Sequence, residues 1–152
     1  MYPVQHLVLG IIFAGFVFYF FPIIGFVGFW TIVLSSFLID VDHYFFYAWK
    51  KRDLSLKNAY EWFDEKVKRM QHLPRSEKKK YKYEIMIFHG IEFWILLFLL
   101  AYFSNFFFLI FMGVIFHMIL DFTAIVYFNE PLLLKSSTIY SLIRNGNKKD
   151  LL

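Results

Sequence analysis

The sequence predicts an all-α integral membrane protein, a four-transmembrane-helix bundle with an amphipathic cytoplasmic helical insertion between the second and third helices. Three observations predict it. The 152 residues are 59% hydrophobic and 24% aromatic, with 22 phenylalanines, well above the usage of ordinary soluble domains. The apolar residues fall in four long blocks. All sixteen lysines and arginines fall in two segments, 44–83 and the tail after Phe128.

The four expected spans are 6–21, 23–39, 85–103 and 106–128. A hydrocarbon core about 30 Å thick takes roughly 20 helical residues, with about 17 as the lower bound. The first two spans are short and share a tight Phe21-Pro22 corner, so they read as a helical hairpin. The second two meet at Ser104-Asn105. Neither corner carries a basic residue, and the positive-inside rule therefore puts the N-terminus, the 44–83 loop and the C-terminal tail 129–152 in the cytoplasm. The expectation is a single membrane domain over 1–152 in the cell membrane. MYPVQHLVLG lacks a basic n-region and a small-residue cleavage site, so no removable signal peptide is read. Absence of cysteine excludes disulfides and thiolate ligands. The net charge of +4 reads as topology; the expected partner is membrane lipid, and no nucleic acid.

Within the loop, Asp53 or Ser55 can cap a helix over 56–72. Leu56, Ala59, Tyr60, Phe63, Val67 and Met70 form its apolar stripe, and Lys57, Lys66, Lys68 and Arg69 its polar flank. Such a helix suits the headgroup plane beside anionic lipid. Pro74 ends it. Ser76 can cap a second helix through EKKKYKYE into the third span. Trp49, Tyr44, Tyr47, Tyr81 and Tyr83 read as interface anchors.

The chemistry lies in polar residues that the bilayer should reject. His6 opens the first span; Asp40, Asp42 and His43 close the second; His89 and Glu92 sit early in the third; His117 and Asp121 sit late in the fourth. A buried charge costs about 2.5–3.5 kcal/mol on insertion scales, so these groups must satisfy one another or a bound cation. With alternating helix directions, all fall in one cytoplasmic layer. His117 and Asp121 are i,i+4 and share a helix face; His89 and Glu92, like Asp40 and His43, are i,i+3. Imidazole and carboxylate without sulfur suit a divalent metal, zinc first, with manganese, iron or magnesium also compatible. Eight candidates exceed one tetrahedral site. Either two ions share it, or some residues orient the imidazoles. Asp40, Asp42 or Glu92, where not a ligand, can act as general base. Lys50, Lys51 and Arg52 follow directly and can receive an anionic headgroup.

His6-Leu7-Val8-Leu9-Gly10, Ile39-Asp40-Val41-Asp42-His43, His89 and Gly113-x-x-x-His117-x-x-x-Asp121 together resemble the YdjM-like membrane-bound metal-dependent hydrolases, over His6 to Asp121. The resemblance implies His6, Asp40, Asp42, His43, His89, His117 and Asp121 as metal ligands. Two positions depart from the family pattern. Ile39 stands where proline is usual, and FHGIEFW lacks the arginine and second histidine, leaving Glu92 near that ligand position. The activity implied is metal-assisted hydrolysis of a phosphoester or other ester of a lipid-like substrate at the headgroup layer. Two other classes use the same residues: a metal or proton transporter, and a non-catalytic scaffold held by its metal. The lack of a serine or cysteine nucleophile motif argues against a covalent acyl-enzyme route.

Overall fold

The Phe21-Pro22 corner breaks the first apolar block where expected. Helix α1 (Pro3–Phe20) closes on it, a 3-10 turn follows at Pro22–Ile24, and Gly25, at a φ of 61° that costs glycine little, opens α2 (Gly25–Leu38). The structure, a computed structural model, describes residues 3–129, 137–146 and 148–152. Its remaining helices are α3 (Val41–Lys51), α4 (Leu56–Gln71), α5 (Arg75–Lys78), α6 (Ile91–Phe103), α7 (Asn105–Tyr127) and α8 (Thr138–Asn145). Among the described residues the only β pairing is an isolated parallel bridge, Tyr81 with Lys149. The all-α expectation holds.

Among the described residues, three helical runs are long and apolar enough to cross a membrane: Pro3–Phe20, Pro22–Lys51 and Asn105–Tyr127. The expected third span is shorter than its apolar block. α6 has 13 residues, about 20 Å at 1.5 Å per residue, against a core of about 30 Å. Residues 82–86 are irregular because their backbone groups are claimed from outside. Asn145 donates to Tyr83 O and accepts from Tyr83 N, and Thr138 Oγ1 donates to Met86 O. Gly90, a poor helix former, lies at the boundary.

The chain divides into two compact units, Met1–Asp40 with Ile91–Ala124 and Val41–Gly90 with Ile125–Leu152. In the first, α1, α2 and α7 approach closely at small residues. A Cβ on Gly10 would lie 2.1 Å from Ser36 Oγ, and one on Gly113 would lie 2.0 Å from Ser35 Oγ and 2.5 Å from Ile32 O. Close backbone approach is how helices associate in lipid, where apolar burial supplies little net drive. Ala14, Ile32 and Val33 fill the buried centre, and Phe13 stacks on Phe116 at 4.2 Å. Ile12, Phe16, Phe26, Val27 and Phe98 face outward, the exterior of a membrane-associated chain.

The second unit is polar inside. Lys66 pairs with Glu84 at 2.7 Å, and the buried Lys78 donates from Nζ to Phe128 O, just beyond the end of α7. Ser55 caps α4 by accepting from Asn58 N, as expected. The α4 stripe is split. Ala59 and Met70 turn inward, whereas Leu56, Tyr60 and Val67 are exposed. Three other expectations are corrected. Residues 44–51 are helical, part of α3, so Asp42 and His43 open a helix and do not close one. The EKKKYKYE helix is limited to the single turn α5, after which Tyr81 bridges to Lys149 and Lys82 N donates to Lys149 O. Tyr47 and Tyr83 are buried, not interface anchors; Tyr47 donates its hydroxyl to Asp53 at 2.6 Å. Within the tail, Thr138–Asn145 form α8, with Ser141 buried and Ile139, Leu142 and Ile143 exposed.

Candidate metal centre

In the first unit, helical spacing delivers the ligands. His6, Gly10 and Ala14 recur every fourth residue along one buried line of α1, and Gly113 and His117 do the same on α7. The glycines admit α2, whose last turn brings Ser36 to His117, and the turn after it carries Asp40. His6 and His117 are fully buried and stack with ring centroids 3.8 Å apart. His6 Nε2 lies 3.2 Å from Asp121 Oδ1; His117 Nε2 lies 3.5 Å from Asp121 Oδ2 and 3.6 Å from Asp40 Oδ1. Ligand atoms of His6, Asp40 and His117 all fall within 4.8 Å of one another.

The hydrogen bonding assigns the protons. His117 Nδ1 is 2.8 Å from Ser36 O. A carbonyl only accepts, so Nδ1 carries the hydrogen and a neutral ring turns the Nε2 lone pair toward Asp40 and Asp121. Lone pair against carboxylate is repulsive unless a positive charge lies between them. No lysine or arginine occurs in either segment of this unit, which nevertheless holds Asp40, Glu92 and Asp121. Among the side chains of this unit only an imidazolium can balance them, and a bound cation would do the same.

A divalent metal fits the donors present. His6 Nδ1 and Nε2 are buried without a hydrogen-bond partner, although Nε2 faces Asp121. Ligands about 2.0–2.1 Å from a tetrahedral zinc stand roughly 3.3 Å apart, and the His–Asp separations bracket that figure at 3.2 to 3.6 Å. The buried His/Asp group can therefore hold a metal ion. The donor set, two imidazoles and two carboxylates, suits zinc, iron or manganese.

The second unit holds the remaining histidine and carboxylate candidates. Asp42, in the first turn of α3, accepts through Oδ2 from Phe88 N and His89 Nδ1, both at 3.1 Å. The carboxylate fixes the His89 tautomer and leaves the lone pair on Nε2, the arrangement that sets a histidine for ligation or proton transfer. Asp42 Oδ1 is buried with no hydrogen-bond partner. The His43 ring meets His89 edge to face at 5.0 Å and Phe63 likewise.

By unit, His6, Asp40, His117 and Asp121 belong to the first and Asp42, His43 and His89 to the second. Glu92 lies in the first turn of α6 and belongs to none of the convergent ligand groups among the described residues. His89 sits in the turn before α6, so the His89–Glu92 helical pair does not form; this corrects the i,i+3 expectation. Lys50 is drawn to Asp150 at 2.8 Å and lies over the Phe46 and Trp62 rings, while Lys51 and Arg52 are exposed. The sequence reading missed Ser36. Its signal was present: a Ser35-Ser36 pair inside an apolar run, with Ser36 one turn before Asp40. Comparison of the chain with protein-family models, curated proteins and solved structures finds no match.

Proposed function

We propose that this protein is a membrane-embedded metal-dependent hydrolase acting at the cytoplasmic headgroup layer on a phosphoester or other ester of a lipid-like substrate. The observation that carries the proposal is the buried His6–Asp40–His117–Asp121 cluster in a unit without lysine or arginine. The motif resemblance supports the class of activity, and the concentration of basic residues in 44–83 and the tail supports the cytoplasmic side. His6, Asp40, His117 and Asp121 would hold the ion, with zinc favoured by the spacing. A divalent ion in such a site polarises a phosphoryl or acyl oxygen and acidifies water. Ser36 O holds the His117 ring in register. Asp40, where it is not a ligand, would act as general base, accepting a proton and returning it to the leaving group.

The test is the metal content of detergent-purified protein by inductively coupled plasma mass spectrometry, beside His117→Ala and Asp121→Ala. One or two equivalents of a transition metal, lost in both variants while the helical content is kept, is the expected result. A folded wild-type protein without metal overturns the proposal. Bound metal with no hydrolysis across a panel of phosphoester and ester lipids would leave a scaffold and overturn the activity.

A further inference from the structure

We infer that the second unit carries a binding pocket for a single alkyl chain ending in a hydrogen-bond-donating head, a hydroxyl or an ammonium, with Asp42 as the acceptor. The pocket deepens the hydrolase reading, and its role as a substrate site rests on that reading. Asp42, Phe45, Phe46 and Trp49 stand at i, i+3, i+4 and i+7 of α3, so one helix face carries a carboxylate followed by three aromatic rings. With Ile87 and Phe88 they line a cavity of about 300 Å³, at the small end of ligand pockets. From Asp42 to Trp49 is about 10 Å along the helix. That length accepts part of one chain and excludes a whole two-chain lipid.

The carboxylate decides the chemistry of the head. Oδ2 is committed to Phe88 N and His89 Nδ1. Oδ1 is buried and has no hydrogen-bond partner, a costly state that a donor relieves. An ionised carboxylate accepts only, so a hydroxyl or ammonium is drawn in and a sulfate, phosphate or carboxylate is repelled. Phe45, Trp49 and Ile87 are exposed at the rim, so a chain enters sideways from an apolar surrounding. Lipid tails alone would fill the apolar wall without regard to their head. Asp42 predicts a preference.

The experiment uses the full chain in phosphatidylcholine nanodiscs and three photoaffinity probes. Each carries a diazirine in a twelve-carbon chain, with an ammonium, a hydroxyl or a sulfate head. Cross-links are mapped by peptide mass spectrometry. The expected result is α3 labelled several-fold more by the ammonium and hydroxyl probes than by sulfate. Ile87→Trp, which fills the cavity, should lower labelling of α3 by all probes. Asp42→Asn should erase the preference for ammonium, and circular dichroism confirms that each variant is folded. Equal labelling by the sulfate probe, or labelling unchanged by Ile87→Trp, overturns the pocket as bulk lipid contact. The same labelling after chelation separates the two proposals. Head preference in a protein that never binds metal sinks the hydrolase and keeps the pocket. Bound metal without head preference sinks the pocket alone.

Discussion

Gly113→Ala should pry α7 from α2 and loosen the metal centre together. A methyl there meets Ile32 O at 2.5 Å, about 0.9 Å short of the 3.4 Å at which ordinary contact begins, and Ser36 N at 3.0 Å. Both are backbone atoms and cannot rotate aside. Overpacking of this kind costs about 1–3 kcal/mol, and a backbone obstacle puts Gly113→Ala at the upper end, about 3 kcal/mol. A shift of that size would also stretch the 2.8 Å His117 Nδ1–Ser36 O bond beyond hydrogen-bonding range. Losing such an orienting partner lowers metal affinity about 10–100-fold. Gly10→Ala is the control. Its methyl meets Ser36 Oγ at 2.1 Å, but the nearest backbone atom is 3.9 Å away. Adding Ser36→Ala should therefore rescue Gly10→Ala, whereas adding Ser35→Ala should not rescue Gly113→Ala, because Ile32 O remains. Unfolding in mixed micelles followed by circular dichroism gives stability, and competition with a chelator gives affinity. Gly113→Ala indistinguishable from wild type in both, or rescued by Ser35→Ala, would refute the packing argument.

Two further predictions concern the second unit. Asp53 accepts from Tyr47, Asn58 and the Ser55 backbone N–H, and the Tyr47 hydroxyl chiefly holds its carboxyl below the ordinary value. A depressed folded pKa contributes stability above the unfolded value, lost as pH falls through the folded one. The start of α4 should thus persist through about pH 4 and loosen only below it, and Asp53→Asn should flatten that dependence; a wild-type transition above pH 4 in Trp62 fluorescence contradicts it. Lys66→Met removes the ammonium 2.7 Å from Glu84, whose side chain is only 17% exposed, and should cost about 3 kcal/mol, whereas Lys66→Met with Glu84→Leu should cost less. Equal losses in the single and double variants would show that the pair itself, and not a stranded charge, carries the stability.

What the sequence made legible is what depends on local pattern. Block length and a proline corner locate α1 and α2, and the Ser55 cap and helical stripe locate α4. Each rests on residues within a turn or two of one another. The failures share a different cause. Ile85 to Phe88 read as helix because they are apolar, but Asn145 and Thr138, some sixty and fifty residues later, take up the neighbouring backbone groups. No periodicity within 85–103 records such a claim. The α4 stripe misleads for a related reason: a buried Lys66 with Glu84 turns the helix so that Leu56, Tyr60 and Val67 are left outside.

The site was legible in its members, and the role of each member was not. Intramembrane histidine and aspartate are conspicuous because each is expensive there, so a list of them finds the ligands without knowing the fold. Depth along four idealised helices then merged them into one layer. The structure distinguishes roles that depth cannot. Asp40 and Asp42 are two residues apart, yet Asp40 faces His117 while Asp42 holds His89 and Phe88 N. Asp40 lies in the turn where α2 ends, and Asp42 in the first turn of α3. A continuous helix would set those two carboxylates about 200° apart; the turn replaces that fixed offset with one that spacing alone cannot give. The role of each carboxylate therefore follows from the partner of each imidazole. Ser36 O identifies His117 as a ring presenting Nε2 to two carboxylates, and Asp42 identifies His89 as a ring whose proton is already held.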